Sequence, residues 1–161
     1  MSKCVLDTSI CVDLSNAGLL EIVLRLQHEL LIPDVIADEL KEPAGEHLFR
    51  LGFTAVGLGA EDMNVVTSYV ERYREPSFAD LFALACAKVH ACVLLTGDAH
   101  LREAAKSEGV DVHGVLWVLD ELVAQSILTP PDAATSLQRI TAAGGWLPRM
   151  ESEDRIKRWR G

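Results

Sequence analysis

Short apolar runs of β type alternate with helical patterns along most of this chain, and that alternation constrains the fold most. The candidate strands are residues 3–7 (KCVLD), 30–32 (LLI), 53–56 (FTAV), 92–96 (CVLLT) and 110–112 (VDV). Helical patterns fall at 17–28, 34–41, 60–74, 77–89 and 99–107. Strands alternating with helices imply right-handed crossovers and a parallel, doubly wound sheet. Each strand is a continuous apolar run, as expected when helices cover both faces. The expected class is α/β: three layers, with a parallel sheet of about five strands flanked by helices. After residue 114 the pattern is helical and closes on a short charged tail. Pro33 and Asp34 suit the opening of a helix, Ser77 an N-cap, and Gly109 a helix stop.

The length of 161 residues, 49% of them hydrophobic, fits one domain over 1–161. Its core is expected over about 3–113, with a helical extension over 114–161. Aromatics make up only 6%, so aliphatic side chains must fill the interior. No run of 18 apolar residues exists, so no membrane association is expected. The start, MSKCVLDTSICV, reads as structure and not as a signal peptide. Cys4, Cys11, Cys86 and Cys92 form no CxxC pair, and each lies in an apolar run. Reduced thiols and a cytoplasmic location are the expectation. In CAKVHAC, the ligand types Cys86, His90 and Cys92 straddle a helix and a strand without an evident fourth ligand, which argues against zinc. GLGAED has Asp62 where a dinucleotide fingerprint needs its third glycine, so it reads as a turn into a helix.

The net charge of −9 is unevenly placed. Residues 149–161 hold five basic residues against three acidic ones, a local +2, which leaves −11 for the rest. Such a body repels phosphate backbones. If it handles nucleic acid, metal ions or the tail must supply positive charge.

Four acids stand out. Asp7 ends the first strand, at the sheet edge where parallel folds bind ligands. It also suits a helix N-cap, and both readings stay open. Asp98 follows Thr96 and Gly97 at the end of VLLT, with the same two readings. Asp80 sits in SFADLFALACAK, where helical spacing gives it no cation. A bare carboxylate there must be paired, protonated or metal-bound. In PDVIADELK, Asp38 shares a polar stripe with Asp34 and Lys41. Glu39 shares the apolar stripe of Val35 and Ile36, which picks Glu39 as the inward acid. A glutamate covering apolar surface at the rim is equally open. Clustered carboxylates need a counter-charge, and no Lys or Arg is evident near these four. A hard divalent cation meets that need, and can activate water for phosphodiester cleavage.

At these residues the chain resembles the PIN-domain nucleases, in particular VapC-type toxins. VLDTSI is similar to the family's first acid motif (Asp7), IPDVIADEL to its second (Glu39), SFADLFALACA to its third (Asp80), and LLTGDAHL to its T-x-D motif (Thr96, Asp98). The resemblance implies Mg²⁺ or Mn²⁺ dependence, single-stranded RNA as substrate, homodimers and, in toxin members, a basic antitoxin. By analogy Ser9 and Thr96 orient ligands or water; capping and turn formation are their plainer roles. The expected metal ligands are Asp7, Asp80 and Asp98, with Glu39 acting through water. Ala99 and His100 replace a further acid found in some relatives, and His100 is expected in solvent. RIKRWR pairs basic residues with Trp159, which suits either an RNA grip or a solvated end.

Two other readings compete with an endoribonuclease. A Mg²⁺ phosphohydrolase with Asp7 as nucleophile needs an acid two residues on, where Ser9 stands. A non-catalytic interaction module has no need of all four acids.

Overall fold

A computed structural model describes residues 2–161. Its first strand, β1 (Ser2–Leu6), pairs in parallel with β2 (His28–Pro33) on one side and β4 (Val93–Leu95) on the other. Beyond them lie β3 (Thr54–Val56) and β5 (Val112–His113), giving the all-parallel order β3-β2-β1-β4-β5. The chain builds outward from β1 to β3, then crosses back to place β4 on the opposite side. The order therefore reverses beside β1, and ligands of open α/β sheets bind at such a reversal. Consecutive residues of a strand point to opposite faces. Cys4, Val5 and Leu6 are all buried, as are Leu30, Leu31 and Ile32, so both faces of the sheet are covered. The three-layer expectation holds.

Ten α-helices surround the sheet: α1 (Thr8–Asn16), α2 (Leu20–Val23), α3 (Asp34–Glu39), α4 (Gly45–Leu51), α5 (Met63–Arg72), α6 (Phe78–Val89), α7 (Ala99–Ser107), α8 (Val115–Ala124), α9 (Pro130–Ala142) and α10 (Arg149–Arg160). The helix expected at 17–28 is a correction. The segment after β1 folds as α1 from Thr8, breaks at Gly18 with φ +70°, and resumes briefly as α2. Thr8, Ile10 and Val12 are β-branched and disguise α1. Burial of Ile10, Cys11 and Leu14 overrides that weak propensity. The seven-residue α4 is too short to show a helical period, and the 60–74 pattern divides into a 3₁₀ turn (Ala60–Asp62) and α5.

The C-terminal segment is a second correction. The charged tail is not a loose end: it forms α10, which packs on α9, while α8 and α9 both pack on α1. Arg155 donates to Asp120 from Nη2 at 2.7 Å and from Nε at 3.0 Å. Trp159 is 7% exposed, so its ring serves the core and is not free to stack on a base.

All four cysteines are buried and free, and burial pushes the Cys4 and Cys86 thiols up to about 12. His90 bonds the Gly57 carbonyl through Nε2 at 2.9 Å. Among the described residues no helix is long and apolar enough to cross a membrane.

Candidate active site

Asp7 leaves the C-terminal end of β1, and its own N–H donates to the carbonyl of Leu95 at the end of β4. Its carboxylate is 1% exposed. Oδ1 accepts from the Ile10 N–H at 3.0 Å, which caps α1, and from the Ser9 hydroxyl at 2.8 Å. Oδ2 accepts from the hydroxyl of Thr96, which is fully buried. Both hydroxyls are themselves fixed from the β4 side. Ser9 Oγ accepts from the Gly97 N–H at 3.0 Å, and Thr96 Oγ1 from the Asp98 N–H at 3.0 Å. Ser9 and Thr96 therefore orient Asp7 and tie the β1 end to the β4 end.

Asp98 caps α7, with Oδ1 accepting from the Leu101 N–H at 2.8 Å. Asp80 forms a capping box with Ser77 at the start of α6. Its N–H donates to Ser77 Oγ at 3.1 Å, and its Oδ2 accepts from the Ser77 N–H at 3.0 Å. The capping readings of Asp7 and Asp98 are thus correct. Glu39, at the end of α3, is exposed and does not face inward, which corrects the stripe argument. It still turns toward β1, since Oε1 accepts from the Thr8 hydroxyl at 2.7 Å. His100 is exposed.

Two of the four acids, Asp7 and Asp80, are displaced from the usual carboxylate range. Burial pushes the Asp7 carboxyl up to about 6, against the pull of its bonds from Thr96, Ile10 and Ser9, and the Asp80 charge adds to the rise. The Asp80 carboxyl is also raised, first by burial and then by the charges of Asp98 and Glu39. Asp80 is the hub of the set. Among the described residues, none of the four is in an ion pair.

This donor set suits a hard divalent cation. Every donor is a carboxylate oxygen, and among the described residues no amine or guanidinium pairs with the group. Asp80 Oδ1, Asp98 Oδ2 and Glu39 Oε2 take no hydrogen bond among the described residues. Among those residues no three side chains close to metal-holding distance. An ion held here would keep several of its own waters, as Mg²⁺ commonly does.

A groove begins beside Asp98, and the sequence did not reveal it. A cavity of about 370 Å³ lies between Ser9, Asp98 and Trp146, and one of about 420 Å³ runs on past Arg102 and Trp117. Asp13, Gly97 and Trp146 border both. With α1 registered from Thr8, Asp13 falls three residues after Ile10 and one before Leu14, on the buried side. That register was the missing signal.

Comparison with protein families finds a match to the PIN domain over residues 3–160. The chain belongs to the PIN-domain family, a nuclease-type fold whose members generally use divalent metals. Comparison with the curated proteins finds no match.

Proposed function

We propose that the protein is a Mg²⁺- or Mn²⁺-dependent endoribonuclease that hydrolyses phosphodiester bonds of single-stranded RNA. The observation that carries the proposal is a set of acids at the sheet edge where strand order reverses, Asp7 at the end of β1 and Asp98 after β4, joined through Thr96, with Asp7, Asp80, Asp98 and Glu39 in no ion pair among the described residues. Asp7, Asp80 and Asp98 bind the metal, and Glu39 acts through water or places the attacking water. The bound ion supplies a lowered water pKa and charge stabilisation at phosphate. Thr96 and Ser9 hold Asp7 in position for it.

We extend the proposal to a cytoplasmic, VapC-type toxin that forms a homodimer and is countered by a basic antitoxin. The net charge of −9 supports a basic partner. The test is cleavage of end-labelled single-stranded RNA. Cutting with Mg²⁺ or Mn²⁺, stopped by a chelator and lost in Asp80→Asn, is expected. Equal cutting by Asp80→Asn, or by protein freed of metal, would refute it.

A second reading has its own support. Asp7, Asp80 and Asp98 all serve as helix caps, as acids of a non-catalytic module would. Such a module takes up no Mn²⁺ specifically, and calorimetric titration separates the two.

A further inference from the structure

Asp13 lies on α1, the helix that Asp7 caps. It is 8% exposed, yet its side chain has no hydrogen bond or ion pair among the described residues. It borders both cavities of the groove. The backbone opposite is held close: a Cβ at Gly145 would stand 2.8 Å from Asp13 Oδ1, so only glycine fits. Next to Gly145, Trp146 is 71% exposed and borders the same two cavities. A large exposed indole beside a carboxylate that opens on the cavity without a protein partner is a pairing that nothing in the core requires.

Arg102, Lys106 and Arg155 line the larger cavity, together with Glu103, Asp120 and Glu151. Arg102 of α7 makes no ion pair with a carboxylate among the described residues; Nη1 donates to the Thr96 carbonyl at 3.4 Å. Lys106, one turn on, borders the same cavity and pairs with Glu103 only at 3.9 Å. Asp120, on the opposite wall, is neutralised by Arg155 and Arg158. The groove thus offers a stacking face, an acceptor and, in Arg102, a guanidinium without a carboxylate partner among the described residues, and Asp98 lines its smaller cavity.

These are the components that recognise a nucleotide: an aromatic for the base, a cation for its phosphate, and a polar group for its edge. A carboxylate accepts only, and binds best to two adjacent donors. Among the four RNA bases, only guanine presents two adjacent donors on its pairing edge, N1–H and the exocyclic amine.

We propose that this groove is a guanine subsite beside the cleaved bond, with Trp146 stacking on the base, Asp13 accepting from its edge, and Arg102 and Lys106 holding the adjoining phosphate. This rests on the nuclease reading above. Burial pushes the Asp13 carboxyl up to about 6, and two N–H donors would relieve the cause.

The experiment is titration of the full chain with guanosine, adenosine, cytidine and uridine 5′-monophosphates, followed by tryptophan fluorescence. These nucleotides contain no phosphodiester bond, so the readout does not depend on cutting. Saturable quenching by the guanosine nucleotide, roughly tenfold tighter than by the others, is expected from a charge-assisted edge contact. Trp146→Ala should abolish the quenching, and Asp13→Asn should remove the selectivity. Equal binding of all four nucleotides, no binding of the guanosine nucleotide, or undiminished selectivity in Asp13→Asn would overturn the subsite. Should Asp13→Asn fail to fold, the selectivity of the parent chain decides alone. RNA cutting without selective binding sinks the subsite and leaves the nuclease standing. Selective binding without RNA cutting sinks the nuclease, and with it the subsite's place beside a cleaved bond.

Discussion

The hydroxyl of Thr96 donates to Oδ2 of Asp7, joining residues 89 apart in the chain at the ends of adjacent strands. Thr96 also accepts from the Asp98 N–H. One buried hydroxyl therefore sets the relation between two of the four acids. Thr96→Val keeps the shape and removes the hydroxyl. It should destabilise the fold by about 1–3 kcal/mol, because a buried acceptor and an N–H lose their partner. Chemical denaturation measures this, and Thr96→Ser should restore most of it. RNA cleavage should fall in Thr96→Val and recover in Thr96→Ser.

Glu39 has a different expected signature. It is exposed and tied to the acids through Thr8. Glu39→Gln should lower the cleavage rate by roughly a hundredfold or more if Glu39 places the attacking water. Mn²⁺ should still bind, as calorimetry would register. Loss of Mn²⁺ binding in this variant alone would move Glu39 into the set of direct ligands.

Metal should stabilise the protein through the same acids. At a Mn²⁺ concentration about 100 times Kd, the gain is about 2.7 kcal/mol. Thermal melts should show a rise in Tm, and the double variant Asp7→Asn/Asp80→Asn should show none. Without metal, Asp80→Asn should melt no lower than the parent, because it removes repulsion from Asp98 and Glu39.

The pH dependence of stability should carry the mark of Asp13. Its carboxyl sits at about 6 when folded, against 3.8 for the free group, because burial disfavours the charge. The folded state thus holds a proton more tightly than the unfolded state. Stability is greatest below the unfolded pKa and falls as pH rises through the folded one. Asp13→Asn removes this loss and should gain up to about 3 kcal/mol near neutral pH, and nothing near pH 3. Denaturation across that range tests it, and a gain equal at both ends would contradict it.

α10 should matter for stability. Arg155→Ala removes the two-pronged bond to Asp120. The pair is only partly exposed, so a cost of about 1–2 kcal/mol is expected. Amide hydrogen exchange should show α10 opening before the sheet does.

Much of the fold was legible because its signals are local. The five strands were expected at nearly their observed places, since unbroken runs such as CVLLT have few other homes. The helix after β1 was legible only as a start near Thr8 that Asp7 would cap, and its length was not, because the β-branched Thr8, Ile10 and Val12 weaken its pattern. Only packing of Ile10, Cys11 and Leu14 against the core decides for helix. That error hid Asp13, whose meaning depends on its helical register. The acids at Asp7 and Asp98 were legible as strand endings, and their double role as caps follows from the helices they open. Glu39 was assigned inward because a stripe fixes direction, but α3 ends at Glu39 and frees its side chain toward the rim. Trp146 and the groove depend on how α9 packs on α1 and α10 on α9, a long-range packing that no short motif reports.

The most direct measurement is anomalous diffraction at the manganese edge from crystals soaked in Mn²⁺. A peak is expected among Asp7, Asp80, Asp98 and Glu39, with carboxylate oxygens and water around it. Density without a peak there, each acid still engaged only with its helix cap, would contradict it.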